Sequence, residues 1–180
     1  MEISLTSSLK ERSIKNKVKV LYLSAFPKYE RLPFWVLMAL HRLGRANFTA
    51  FLSGGEFCGF TYSITVKGAH FIMFFAVEES LRSKGYGSAI LSKIKSVYSP
   101  SDVVLNVEIP SEDAPNLSER LKRIEFYRKN GFFDTGYNVR EVGGKFRVLA
   151  TDGKFNFDAY KKVFRKFSFG FWDVWLKKEK

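Results

Sequence analysis

The sequence predicts a single mixed α/β domain, a twisted and largely antiparallel sheet with helices on both faces. Three observations predict it. Two turn signals, Ser53-Gly54-Gly55 and Lys67-Gly68, join the apolar segments 48–52, 57–64 and 71–77 into successive hairpins. A helical pattern over Ile90, Leu91, Ile94 and Val97 separates segment 71–77 from the alternating segment 103–109, a crossover that makes these two strands parallel. Segments 133–139 and 146–150, with Gly143-Gly144 near their turn, form a closing hairpin.

The elements follow in order. Ile14, Val18, Leu21, Tyr22 and Ala25 recur at helical spacing until Pro27 stops them. Pro33 opens a second helix over 34–43, and Gly44 closes it. That helix is apolar on nearly every side, so it should be buried or line a pocket. Strand 71–77 is apolar on both faces, the mark of a central strand. In 103–109, Val103, Leu105, Val107 and Ile109 share the core face, while Val104, Asn106 and Glu108 share the other. The second face ends in two polar groups, as at the mouth of a cleft. Asn116 fits a helix N-cap, with Glu119 as its capping-box partner. Leu117, Leu121, Ile124 and Tyr127 then line one helix face, and Gly131 ends the helix. A last helix covers 157–167. The tail 167–176 carries Phe169, Phe171, Trp172 and Trp175 and needs a cover, either this domain or a second subunit in a homodimer.

Length and composition agree with one domain over 1–180, its motif-bearing core at 48–139 and its C-terminal helix and tail at 157–180. Nineteen Phe predict an aromatic core. No apolar run is long enough to span a membrane, residues 1–10 lack the apolar stretch of a signal peptide, and a lone Cys58 leaves no internal disulfide. A soluble, cytoplasmic protein is expected, with Cys58 an inert buried thiol. The net charge of +12 attracts polyanions. The cations are spread along the chain without a nucleic-acid-binding signature, so a phosphate-rich small molecule fits better than nucleic acid. His41 and His70 are too few and too separate for a metal site, and no metal is expected.

The chemistry concentrates in Arg82-Ser83-Lys84-Gly85-Tyr86-Gly87-Ser88, between strand 71–77 and the helix that follows. Glycines permit a tight turn whose N–H groups converge, and a helix N-terminus adds its positive dipole end. Together they suit a pyrophosphate. A P-loop would need Lys-Ser/Thr after its last glycine, where Ser88-Ala89 stands. A dinucleotide loop would need a third glycine where Ile90 stands.

This strand, the segment Val77-Glu78-Glu79-Ser80-Leu81, the run Arg82-x-x-Gly85-x-Gly87 and the helix resemble the acetyl-CoA-binding segment of the GCN5-related N-acetyltransferase (GNAT) superfamily. Phe126-Tyr127-Arg128-Lys129-Asn130-Gly131-Phe132 is similar to a later motif of that superfamily, Tyr-x-x-x-Gly-Phe, and order and separation also fit. The resemblance runs from about residue 51 to 132. It implies a GNAT-like acyltransferase fold and transfer of acetyl from acetyl-CoA to a primary amine, without a metal or covalent acyl-enzyme. It implies that Arg82, Lys84, Gly85, Tyr86, Gly87 and Ser88 hold the pyrophosphate, and that the backbone of Phe75 and Val77 pairs with pantetheine. Tyr127 takes the implied role of the acid that protonates the leaving thiolate.

The base is less legible. Relatives carry a carboxylate where Met73 or Asn106 stands here. Glu108, on the same strand face as Asn106, is the chosen candidate, with Glu78, Glu79 or water as alternatives. Arg120 stands where many relatives place an Asn that contacts pantetheine. The acceptor should be bound by the first two helices, the link 28–33 and the closing hairpin. The competing reading is a module on the same fold that binds CoA, RNA or a protein without turnover.

Overall fold

The computed structural model describes residues 2–6, 11–112, 114, 116–141, 144–151, 155–170 and 176–178. The chain forms two compact units, one of residues 1–65 and 72–97, the other of residues 66–71 and 98–180.

In the first unit the strand order is β1 (Ser4–Thr6), β2 (Asn47–Ser53), β3 (Glu56–Val66) and β4 (Ala69–Val77), the last entering this unit at Ile72. β1 pairs antiparallel with β2, and β2 with β3. Gly54 and Gly55 both hold positive φ, 57° and 82°, the conformation a two-residue hairpin turn demands. Helix α1 (Arg12–Ala25) ends before Pro27, with Phe26 in the extended region that a residue preceding proline prefers. Helix α2 (Phe34–Arg42) starts behind Pro33 and ends at Gly44, whose φ is 66°.

The core of this unit is a chain of rings. Tyr22 of α1 lies 5.2 Å from Phe74 and 6.4 Å from Phe60, centroid to centroid, and Phe48 lies 4.6 Å from Tyr62. Such pairs contribute about 0.5–1.5 kcal/mol each beyond the area they bury. The tyrosine hydroxyls are not wasted inside. Tyr22 donates to the Leu32 carbonyl at 2.9 Å and Tyr62 to the Leu37 carbonyl at 3.1 Å, which fastens the 26–33 link and α2 to the core. α2, expected to be buried or to line a pocket, is buried on one side. Leu37, Met38 and Leu40 face the core, but Trp35 is 73% exposed.

In the second unit the order is the start of β4, then β5 (Asp102–Glu108), β7 (Gly144–Ala150), β6 (Phe133–Glu141) and β8 (Leu176–Lys178). The β5–β7, β7–β6 and β6–β8 pairs are antiparallel. Helix α5 (Phe157–Phe167) is capped by Asn156, whose side chain accepts from the Ala159 N–H at 2.9 Å. Its inner face, Tyr160, Val163, Phe164 and Phe167, packs in part on Phe71. The tail divides. Phe167 is buried, Phe169 is half exposed and Leu176 pairs with Val139 through β8, whereas Phe171, Trp172 and Trp175 lie outside the described residues. No described helix is long and apolar enough to cross a membrane.

Candidate functional site

The glycine loop lies in the first unit, where β4 ends. The Glu78 N–H donates to the Cys58 carbonyl at 3.0 Å, and a short 3-10 turn, Glu79–Leu81, leads into the loop. Ser83 and Gly85 take the left-handed conformation, with φ of 59° and 85°. Helix α3 (Tyr86–Tyr98) starts directly afterwards. Its first backbone bond runs from the Ala89 N–H to the Gly85 carbonyl at 3.0 Å. The N–H groups of Tyr86, Gly87 and Ser88 precede that bond, so the helix itself offers them no acceptor. The loop thus turns at Ser83 and Gly85, while Gly87 sits inside the first helical turn. Arg82 and Lys84 are exposed beside it, and the Arg82 Nε donates back to the Val77 carbonyl at 3.4 Å. An anion rich in oxygen could take the three N–H groups and the helix dipole together.

β4 shows a second feature. Ile72, Phe74 and Ala76 are buried, whereas Met73, Phe75 and Val77 are only half buried, a period of two. Gly59 on β3 supports this end of the strand. A Cβ there would stand 2.5 Å from the Ala76 carbonyl oxygen and 3.3 Å from Ile90 Cδ1 of α3, so only a glycine lets the β4 backbone and the Ile90 side chain come this close. Sequence reasoning missed Gly59, although a glycine inside an apolar strand was the signal.

The second unit holds Tyr127 and Glu108. Tyr127 is the one buried residue of helix α4 (Leu117–Lys129), set against Phe126 at 5.3 Å and Phe132 at 5.6 Å. Burial pushes its phenol up to about 12, opposed by the Arg123 charge. Its hydroxyl has no hydrogen-bond partner among the described residues. The expected stripe on α4 is incomplete, since Leu121 is 50% exposed.

Glu108 is fully engaged. Arg120 Nη2 lies 2.7 Å from its Oε1, and Arg123 Nη1 lies 3.2 Å from its Oε2. Arg120 also donates to the Ile109 carbonyl at 3.0 Å and to Asn116 Oδ1 at 2.8 Å. Asn116 stands at the N-cap, yet makes no capping bond, because the guanidinium has taken its oxygen. Nor does the polar face of β5 open at Asn106, whose amide donates to the Tyr160 hydroxyl of α5 at 2.8 Å. Arg120, Arg123 and Tyr160 are partners that single-element patterns could not reveal. Glu78 is half buried and Glu79 exposed, both beside the loop in the first unit. Among the described residues no three His, Cys, Asp or Glu side chains gather as metal ligands.

No family model matches the chain, and no curated protein matches it in sequence. Solved structures do match. A protein assigned to the GNAT family of acetyltransferases, from Bacteroides thetaiotaomicron, superposes with a TM-score of 0.75 at 19% identity, over 94% of this chain and 99% of that one. An aminoglycoside 6'-N-acetyltransferase complexed with coenzyme A gives 0.64 at 14% identity, over 83% and 96%. An Arabidopsis thaliana protein in complex with the bisubstrate analogue CoA-Ac-MVNAL gives 0.56 at 17% identity, over 84% and 99%. The chain has the fold of the GNAT acetyltransferases.

Proposed function

We propose that this chain, built on the GNAT fold, transfers acetyl from acetyl-CoA to a primary amine. The observation that carries the reading is the loop: a left-handed turn at Ser83 and Gly85 running straight into a helix whose first N–H groups have no helical acceptor. In this reading Tyr86, Gly87 and Ser88 hold the pyrophosphate through backbone N–H groups, and Arg82, Lys84 and Gly85 shape and charge the approach. The backbone of Phe75 and Val77, on the half-buried face of β4, receives the pantetheine arm. The amine nitrogen attacks the thioester carbonyl, the C–N bond forms, the C–S bond breaks and the thiolate leaves with a proton. Tyr127 donates that proton. Its raised pKa keeps it a phenol at neutral pH.

The attacking ammonium must lose a proton as well. For Glu108 to accept it, an oxygen would first have to leave Arg120 or Arg123. We therefore assign Glu108 to ordering those two guanidiniums, with the proton leaving through water.

Calorimetry with acetyl-CoA tests the loop. The wild type binds. Gly87→Val, which adds a branched side chain between Tyr86 and Ser88, should lose at least about tenfold in affinity if a Cβ there blocks close approach of phosphate. Unchanged affinity would remove the backbone cradle and the reading built on it.

A further inference from the structure

The stretch around the 26–33 link is charged in one sense. Between residues 12 and 45 eight lysines and arginines stand against a single acid, Glu30, a net +7. α1 has no acidic residue in its first turn and none along its length. The link is also pinned close to β4. Phe26, where it begins, packs on Phe74 at 4.9 Å, one residue from Phe75. Tyr22 holds the Leu32 carbonyl at 2.9 Å, and Phe34 closes on Tyr22 at 6.1 Å.

Arg31 lies within this pinned segment. It is half buried, and its Nη1 donates to the Leu23 carbonyl at 2.8 Å. Its charge also acts on the Tyr22 phenol, opposing the rise that burial causes. The other guanidinium N–H groups have no partner among the described residues. A guanidinium held by one arm with its remaining N–H groups uncommitted is prepared to grip two oxygens of one anion. The flexible, exposed Lys28 beside it adds charge without orientation.

We propose that the acceptor is an amine carrying its own oxyanion, a carboxylate or a phosphate, and that Arg31 holds this group while the amine reaches the thioester. The proposal rests on the acetyl-transfer reading and names the substrate class for it. It sets the chain apart from enzymes that acetylate polycations. An aminoglycoside or polyamine would meet the +7 segment as a like charge.

Paired acceptors test the proposal, each pair differing only in the oxyanion: phenylethylamine against phenylalanine for a carboxylate, glucosamine against glucosamine 6-phosphate for a phosphate. Spermidine and kanamycin serve as polycations. Turnover is read as CoA thiol release and confirmed by mass of the acetylated amine. Binding of each acceptor to the CoA-loaded protein is read by calorimetry. The oxyanion member of at least one pair should exceed its neutral partner by at least ~10-fold in kcat/KM, and the preferred pair tells carboxylate from phosphate. Arg31→Gln should remove roughly 10–100-fold of that preference through KM, leaving the neutral member unchanged, since a bond to a charged group is worth about that much. Arg31→Lys should recover only part, because the fork is lost.

Preference for the neutral member or a polycation overturns the proposal. So does an equal loss on both members in Arg31→Gln, or failure of every oxyanion probe to bind the CoA-loaded protein. Those outcomes leave acetyl-CoA binding intact, whereas loss of acetyl-CoA binding by the wild type sinks the transfer reading itself.

Discussion

Tyr62 and Tyr127 are both buried, both carry raised phenol pKa values through loss of solvent, and both lie against aromatic rings. They differ at the oxygen. The Tyr62 hydroxyl is spent on the Leu37 carbonyl of α2, as the Tyr22 hydroxyl is spent on Leu32. The Tyr127 hydroxyl is spent on nothing described. Burial and a raised pKa are therefore common to scaffold and candidate chemistry alike, and the hydrogen-bond partner separates them.

The comparison breaks most readily at Tyr127. Tyr127→Phe should lower kcat by ~10²–10⁴-fold, keep acetyl-CoA affinity and leave the melting temperature close to wild type. A rate equal to wild type, with chemistry shown to be the slow step, would return Tyr127 to the scaffold. Tyr62→Phe should do the reverse, keeping kcat while costing roughly 1 kcal/mol in denaturant unfolding for the lost bond to Leu37.

Glu108→Gln sharpens the same distinction for a carboxylate. Removing the negative charge from between Arg120 and Arg123 should destabilise the fold by about 1–3 kcal/mol, since both partners then lose a charge-assisted bond. The pH–rate profile should keep its shape. A rate that collapses at neutral pH and recovers at higher pH would make Glu108 the base after all.

An effect seen only in acid belongs to His70. Buried and stacked on Tyr98 at 3.5 Å, its imidazole is pushed from 6.5 down to about 3 by loss of solvent. The folded state therefore resists the proton that the unfolded chain accepts. The stability that the neutral ring contributes is intact above about pH 6.5 and lost progressively below it, by up to ~3 kcal/mol at pH 4. Urea unfolding across pH 4–7 should show this slope, and His70→Phe should flatten it. An equal slope in the variant would assign the acid sensitivity elsewhere.

Local features were legible because their causes are local. The hairpin turn at Gly54 and Gly55, the helix stop before Pro27 and the loop beside Gly85 each follow from a backbone preference of the residues themselves. Features fixed by a partner far along the chain were not legible. Asn116 has the right side chain for a cap, but Arg120 outbids the backbone for it, and Arg120 is drawn there by Glu108. The same contact puts a guanidinium where the resemblance expected an amide facing pantetheine. Trp35 stands in a run of apolar residues that reads as core, yet only one side of α2 is buried. Gly59 was overlooked because the strand around it read well without it.

Cys58, the chain's only cysteine, has a consequence in redox chemistry. It is fully buried, its Sγ donates to the Phe51 carbonyl at 3.2 Å and burial pushes the thiol up to about 11. In the acetyl-transfer reading each turnover frees a small thiol, and the oxidised form of such a thiol caps any protein thiolate it can reach. A protonated, inaccessible sulfur offers neither the nucleophile nor the path for that exchange. In that reading neither the leaving group nor its disulfide can modify Cys58.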